Sequence, residues 1–299
     1  MTAPSDSAAR QPRQSASLPP KAKLLLGVVW RILAFYAIWW AALIALGAFA
    51  VLILGTKAVD PREAPFQWIS FISVLIATWV MLRRVDKLPW REVGLDAAAA
   101  SPPTLMRGAA LGGLTIGAAS LFLIATHMLR IDATTPGNWW GQAGHSTILL
   151  LPAAFFEELF IRGYVFAILR RAAGWKMALI ISSIVFGLLH VSNPGADSES
   201  ILAVIVAGFF LGAVFLATRS LYAAGAAHFA WNWVMSGALH IAVSGIPSND
   251  PDYRVVDSGP DWLTGGPWGP EGGVAAVAAM FVVLFYLYGR YLRRMEWKA

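Results

Sequence analysis

Long apolar segments recur along this sequence, and the first of them already argues against a water-soluble fold. Residues 32–56 contain no charged side chain, and a helix of this length crosses the roughly 30 Å hydrocarbon core of a bilayer. The run also exceeds the apolar region of a signal peptide, which spans roughly 7–15 residues. Only 13% of the 299 residues are charged, about half the usual share of roughly 25% in soluble domains. We therefore expect a membrane protein that keeps this segment as a spanning helix.

Seven further apolar segments follow, and stretches rich in Gly and Pro separate them. They cover residues 66–82, 107–129, 146–170, 177–196, 200–218, 220–243 and 273–290. Each is about long enough to cross a bilayer as a helix. The sequence therefore predicts an all-α, polytopic membrane protein with about eight transmembrane helices.

The distribution of Lys and Arg orients these helices. With eight spans, both termini lie on the same side as the loops after helices 2, 4 and 6, and this side carries 17 of the 23 basic residues. Since basic loops stay in the cytoplasm, we expect both termini to be cytoplasmic in a multi-pass protein of the cell membrane. This orientation accounts for the net charge of +6, so nucleic acid is not an expected partner.

The segments predict five regions along the chain. These are a disordered cytoplasmic tail (1–23), helices 1–3 (24–145), helices 4–7 (146–243), an outer loop (244–273), and helix 8 with a basic C-terminal end (274–299). The acidic residues of the outer loop lack the spacing of an EF-hand, and we expect them to form a solvated surface. They are Asp250, Asp252, Asp257, Asp261 and Glu271.

Three ionisable residues lie in the middle of predicted helix 4. Glu158 and Arg162 are four residues apart, so they share a helix face and can form an ion pair. Glu157 points about 100° away and has no partner from its own helix. Because charges inside a membrane usually serve a function, we interpret Glu158–Arg162 as a structural pair and Glu157 as the working carboxylate. The alternative is that all three charges hold helices together.

Polar residues on two other predicted helices lie at a similar depth. Helix 5 carries His190 in an apolar run, and helix 7 carries His228 and Asn232 on one face. Counted from the cytoplasmic helix ends, these residues and Glu157 lie about 12–20 Å into the bilayer. We expect them to converge on a common pocket, although each alone is also explained by hydrogen bonding between helices.

This set of side chains fits the attack of water on an amide. Glu157 can act as a general base, His190 can help to hold the water, and a His/Asn pair offers two donors to an oxyanion. Serine catalysis fits poorly because the sequence has no G-x-S-x-G motif, and the absence of cysteine excludes a thiol nucleophile. A zinc site formed by His190, His228 and Glu157 stays open as a second reading, although the motif H-E-x-x-H is absent.

At these residues the chain resembles the CPBP (Abi) family of intramembrane proteases, which includes the type II CAAX prenyl endopeptidases. The family motif E-E-x-x-x-R is matched by Glu157, Glu158 and Arg162. The motif F-x-x-x-H is matched by Phe186 and His190, and H-x-x-x-N by His228 and Asn232. The three motifs occur in order, and the resemblance covers about residues 145–243.

The resemblance implies an eight-helix, glutamate-dependent endopeptidase without a cofactor. Glu157 would activate water together with His190, while His228 and Asn232 would stabilise the oxyanion. The expected partners are the lipid bilayer and a peptide or protein substrate that can carry a prenyl lipid. The family was formerly treated as metalloproteases, and it also contains proteins linked to bacteriocin immunity. A non-proteolytic membrane scaffold or immunity protein is therefore the main alternative; a transporter fits less well because no inverted repeat is found.

Overall fold

Long α-helices make up most of the molecule. The computed structural model describes residues 20–132, 138–248 and 253–295, and 77% of it is helical. The α-helices are α1 (Pro20–Leu54), α2 (Ala64–Trp79), α3 (Pro102–Ala125), α4 (Trp139–Arg162), α5 (Tyr164–Leu188), α6 (Ser198–Thr218), α7 (Leu221–Trp233), α8 (Asp261–Thr264) and α9 (Val274–Leu287). Turns of π-helix continue α2, α7 and α9 to Val85, Ala238 and Leu292.

Five helices in this part of the chain are long and apolar enough to cross a bilayer, judged by length and composition. They are Lys23–Leu54, Ala64–Val85, Pro102–Ala125, Ser198–Thr218 and Val274–Leu292. The structure therefore agrees with a mostly helical, polytopic membrane protein. The count of eight spans and the cytoplasmic position of the termini stay predictions, because α4, α5 and α7 are not among these five helices.

The tail and the outer loop differ in part from the prediction. Residues 20–23 of the predicted tail belong to α1, and residues 1–19 lie outside the described ranges, as do Asp250 and Asp252. Two short antiparallel strands, β1 (Leu129–Asp132) and β2 (Arg254–Asp257), add a small sheet to the expected all-α fold. The sheet ties the end of α3 to the predicted outer loop, which therefore has regular structure.

Glycine and proline shift several helix boundaries from those predicted. The predicted helix 146–170 is interrupted at Gly163, whose ψ of −122° is not helical, so α4 ends at Arg162. The helix predicted to begin at residue 107 begins at Pro102 instead, since proline is well suited to a first helical turn. The helix predicted over 177–196 is the second part of α5, which is kinked at the non-helical Gly174 (φ 83°, ψ 163°) and ends at Leu188. A series of turns follows it.

Polar caps begin the helices near the site. The Asp197 carboxylate accepts a hydrogen bond from the backbone N–H of Ser200 at 2.7 Å, and this bond lowers the pKa of that carboxyl below its usual value. Ser220 accepts from the backbone N–H of Ala223 at the start of α7. The Ser220 hydroxyl also donates to the carbonyl of Ala99, so the first turn of α7 is tied to the segment before α3.

Two glycines allow α3 to pack closely against α7. A Cβ atom at Gly108 would lie 2.1 Å from the carbonyl oxygen of Ala223, and one at Gly112 would lie 1.9 Å from that of Ala227. Small residues at helix interfaces allow such close approach of two backbones in membrane proteins. Helix α7 also packs against α4 and α6, so the α3 contact fixes its position at the centre of the bundle.

We expect Gly112→Ala to destabilise the protein, because the added methyl group has no room beside Ala227. Overpacking of this kind costs about 1–3 kcal/mol. Gly117→Ala is the matched control on the same helix, since apart from the adjacent backbone of α3 no atom of the described structure lies within 4 Å of the place that its added methyl group would occupy. Thermal unfolding of the purified variants in detergent measures the difference. Equal melting temperatures for the two variants would contradict the proposed packing.

Candidate active site

A buried ion pair lies at the end of α4. Arg162 Nη1 donates to Glu158 Oε1 at 2.6 Å, and neither side chain is exposed. Arg162 Nη2 also donates to the carbonyl of Gly208 on α6 at 2.9 Å, and its guanidinium lies 4.8 Å from the ring centroid of Phe186 on α5. The predicted pair is therefore present, and it joins three helices.

The same glutamate orients His228 on α7. Glu158 Oε1 lies 3.1 Å from His228 Nδ1. Because a carboxylate paired with arginine can only accept hydrogen bonds, Nδ1 must carry the hydrogen. This bond fixes the direction of the ring, and the opposite nitrogen, Nε2, then faces Glu157 at 3.8 Å.

His190 presents the same nitrogen to Glu157 from another direction. Its Nδ1 lies 2.8 Å from the carbonyl oxygen of Phe186, which accepts, so Nδ1 is the donor. Its Nε2 lies 3.9 Å from Glu157 Oε2. The sequence placed His190 inside a helix, but it lies in a turn after α5, where its backbone N–H donates to Gly187.

Glu157 lies between the two histidine rings. Its Oε2 atom is buried and has no hydrogen-bond partner among the described residues, although a third of the side chain is exposed. The separations of 3.8 and 3.9 Å from the two Nε2 atoms are too long for direct hydrogen bonds. This oxygen therefore faces both imidazole nitrogens without being hydrogen-bonded to either of them.

A small cavity joins the histidines to Asn232. It has a volume of about 20 Å³, which is roughly the space that a single water molecule needs. Asn232 is 8% exposed and lies one helical turn beyond His228. The cavity is lined by Phe186, His190, Val204, Ala207, Phe210, Leu211, His228, Trp231, Asn232, Ser244 and Glu271.

The donor types at this cluster are those that zinc binds, so the zinc alternative depends on how far apart the donor atoms lie. Across the described ranges, no group of three His, Cys, Asp or Glu residues is arranged to hold a metal. A tetrahedral zinc ion with bonds of about 2.0–2.1 Å would need the donor atoms to lie closer together. Glu157 Oε2 lies 3.9 and 3.8 Å from the Nε2 atoms of His190 and His228.

Comparison with known protein families adds to this geometry. Residues 139–234, about a third of the chain, match the family described as type II CAAX prenyl endopeptidase Rce1-like. The expected family resemblance is confirmed. The matched segment runs from the start of α4 to the end of α7 and contains all six candidate residues. A match to the Rce1-like family implies a peptidase that acts in a membrane. No curated protein and no solved structure matches this chain.

One acidic residue beyond the Rce1-like segment was misjudged from the sequence. Glu271, expected on a solvated surface, is 8% exposed and lines the cavity with His190, His228 and Asn232. It follows Pro270 in a stretch rich in Gly and Pro, and nothing in that pattern distinguishes a buried carboxylate from a solvated one. Only its tertiary contacts identify it.

Proposed function

We propose that this protein is an intramembrane endopeptidase in which Glu157 activates water. The observation that carries the proposal is the buried, unpartnered Oε2 atom of Glu157 between two imidazole nitrogens. A buried polar atom without a partner is costly in a folded protein. A general base that must receive a proton during the reaction explains why this position is kept free.

The proposed reaction begins with proton transfer. Glu157 takes a proton from water while the water oxygen attacks the carbonyl carbon of the scissile peptide bond, and the carbonyl electrons move to its oxygen. The tetrahedral intermediate then collapses, the C–N bond breaks, and the leaving nitrogen takes the proton from Glu157. The glutamate is thereby restored. His190 would hold the water, and its bond to the Phe186 carbonyl keeps the ring in place.

His228 and Asn232 would stabilise the oxyanion. Because His228 Nδ1 already donates to Glu158, the ring can donate from Nε2 only when both nitrogens are protonated. Glu158 is already paired with Arg162, so the negative charge that balances this imidazolium would lie on Glu157 and, as the reaction proceeds, on the oxyanion. The fixed Glu158–Arg162 pair would therefore act on the reaction through His228, as an orienting group rather than as a catalyst.

We propose a membrane-associated peptide or protein as the substrate, with a prenyl lipid attached near the cleavage site. The family description supports this class, since it names CAAX prenyl endopeptidases. We also propose that the protein crosses the cell membrane several times with both termini in the cytoplasm. The support for this orientation is the excess of basic residues on one side, 17 of 23.

The direct test is cleavage of a defined peptide by the purified protein in lipid nanodiscs. A quenched fluorescent peptide ending in a farnesylated CAAX sequence is compared with the same peptide without the lipid, and mass spectrometry locates the cleaved bond. Cleavage of the farnesylated peptide alone supports the proposed substrate class. A protein that binds the peptide without cleaving it would fit the scaffold or immunity alternative.

We expect activity to survive the removal of metal ions. In the proposed reaction the base is Glu157, so dialysis against a chelator leaves the nucleophile intact, whereas a zinc enzyme loses the ion that activates its water. Peptide cleavage is measured before and after chelation, together with the zinc content of the active protein. Stoichiometric zinc, with activity lost to chelator and restored by added zinc, would overturn the metal-free reaction.

A further inference from the structure

Glu271 is a buried carboxylate that the proposed reaction does not use. It lies in a short turn of 3-10 helix, Pro270–Gly272, before α9. Among the described residues no cation lies within ion-pair distance of its side chain. Burying a carboxylate without an opposite charge is costly unless hydrogen bonds compensate for lost water. The hydrogen bonds of the Glu271 carboxylate therefore indicate its structural role.

Both carboxylate oxygens of Glu271 accept hydrogen bonds, and the donors come from two different segments. Oε2 accepts from Trp231 Nε1 on α7 at 2.9 Å. Oε1 accepts from the backbone N–H of Ser244 at 2.6 Å and from its hydroxyl at 2.7 Å. The carboxylate thus joins α7 to the segment that follows it.

The residues that donate to Glu271 are connected to two candidate site residues, Asn232 and His190. Trp231 immediately precedes Asn232 on α7. On the other side, the carbonyl of Ser244 accepts from the Asn193 side chain at 3.1 Å, and the backbone N–H of Asn193 donates to the carbonyl of His190 at 3.1 Å. A continuous series of hydrogen bonds therefore runs from the His190 turn through Glu271 to α7.

We propose that Glu271 is a positioning residue that holds the His190 turn at a fixed distance from Asn232. His190 is not held by a regular helix, since α5 ends at Leu188, so its place depends on contacts such as these. The inference rests on the proposed function, because it assigns Glu271 a role in aligning the water-holding histidine with the oxyanion donors. A small misplacement of such groups is enough to slow a reaction strongly.

Glu271→Gln tests this role with little change of shape. The amide keeps one acceptor oxygen and replaces the other with an NH₂ group, which then faces either the Trp231 N–H or the Ser244 N–H. An NH₂ group cannot bond to either N–H donor, so the hydrogen bond to the Trp231 indole or to the Ser244 backbone is lost; at Ser244 only the hydroxyl can still accept. With the farnesylated peptide, we expect kcat to fall on the order of 100-fold, with KM little changed. Asp261→Asn removes an exposed charge from the same predicted loop and is the control.

A second substitution distinguishes positioning from a loss of charge. In the double variant Glu271→Gln/Trp231→Phe the indole donor is gone, so the amide can turn its oxygen to Ser244. We expect this variant to regain part of the kcat lost in Glu271→Gln. Equal kcat in the single and double variants, or wild-type kcat in Glu271→Gln, would overturn the proposal.

Hydrogen–deuterium exchange provides a readout that does not depend on catalysis. If Glu271 holds the His190 turn, amide exchange over residues 189–196 should be faster in Glu271→Gln, while exchange in α2 should not change. Unchanged exchange over 189–196 would contradict the positioning role. A wild-type protein that does not cleave the peptide, but shows this change in its Gln variant, would refute the proposed function and leave the structural role of Glu271 supported.

Discussion

Glu157→Gln should abolish peptide cleavage and leave the protein folded. Glutamine has nearly the same shape but cannot take a proton from water, and general-base catalysis is worth about 10²–10⁴ in rate. Stability should change little, because Oε2 of Glu157 has no hydrogen-bond partner in the described part of the structure. The measurement is kcat/KM for the farnesylated peptide, together with the melting temperature of each purified variant.

Glu199→Gln is the matched control for this experiment. Glu199 lies exposed in the first turn of α6 and is not among the residues that line the cavity, and the substitution makes the same chemical change. We expect its kcat/KM to equal that of the wild type. Near-normal cleavage by folded Glu157→Gln would show that another group activates the water, and the proposed reaction would have to be abandoned.

Arg162→Ala should have the largest effect on stability. The substitution leaves Glu158 as a buried carboxylate without its cation, and in comparable buried pairs this costs about 3–5 kcal/mol. It also removes the contact with the Gly208 carbonyl and the packing on Phe186. We expect a lower melting temperature, lower expression and lower activity, measured by thermal unfolding in detergent and by peptide cleavage.

Arg62→Ala is the control for loss of an arginine from an ion pair. Arg62 contacts Asp60 at 3.2 Å with 85% of its side chain exposed, and exposed pairs contribute little to stability. We therefore expect the wild-type melting temperature. If Arg162→Ala is as stable as this control but inactive, the arginine acts on the substrate, and the interpretation of a structural pair is wrong.

Local patterns in the sequence were sufficient for the class of protein and for one part of the site. Uncharged runs such as 32–56 predict membrane helices because the hydrocarbon core excludes charge, and the helical structure agrees. The spacing of Glu158 and Arg162 predicts a contact because a helix brings residues four apart onto one face, and the pair is present. Both inferences depend on distances along a single helix.

Helix ends were predicted less well, for a physical reason. Hydropathy continues through Gly163, but α4 stops there because the backbone of this glycine is not helical. Helix α5 ends at Leu188, just before the turn that contains His190. The predicted depth of His190 in the bilayer requires a helix that continues through this residue. The histidine instead reaches the site from a turn, where its bond to Phe186 orients the ring.

The sequence by itself determined that this is a helical membrane protein and which motifs bring Glu157, His190 and His228 into consideration. Only the tertiary structure decided that Glu157 Oε2 lies between two Nε2 atoms and that Glu271 belongs beside them. The reason is that Trp231, Ser244 and Glu271 are far apart along the chain and share no periodicity. Their hydrogen bonds form only when the segment before α9 folds back onto α7.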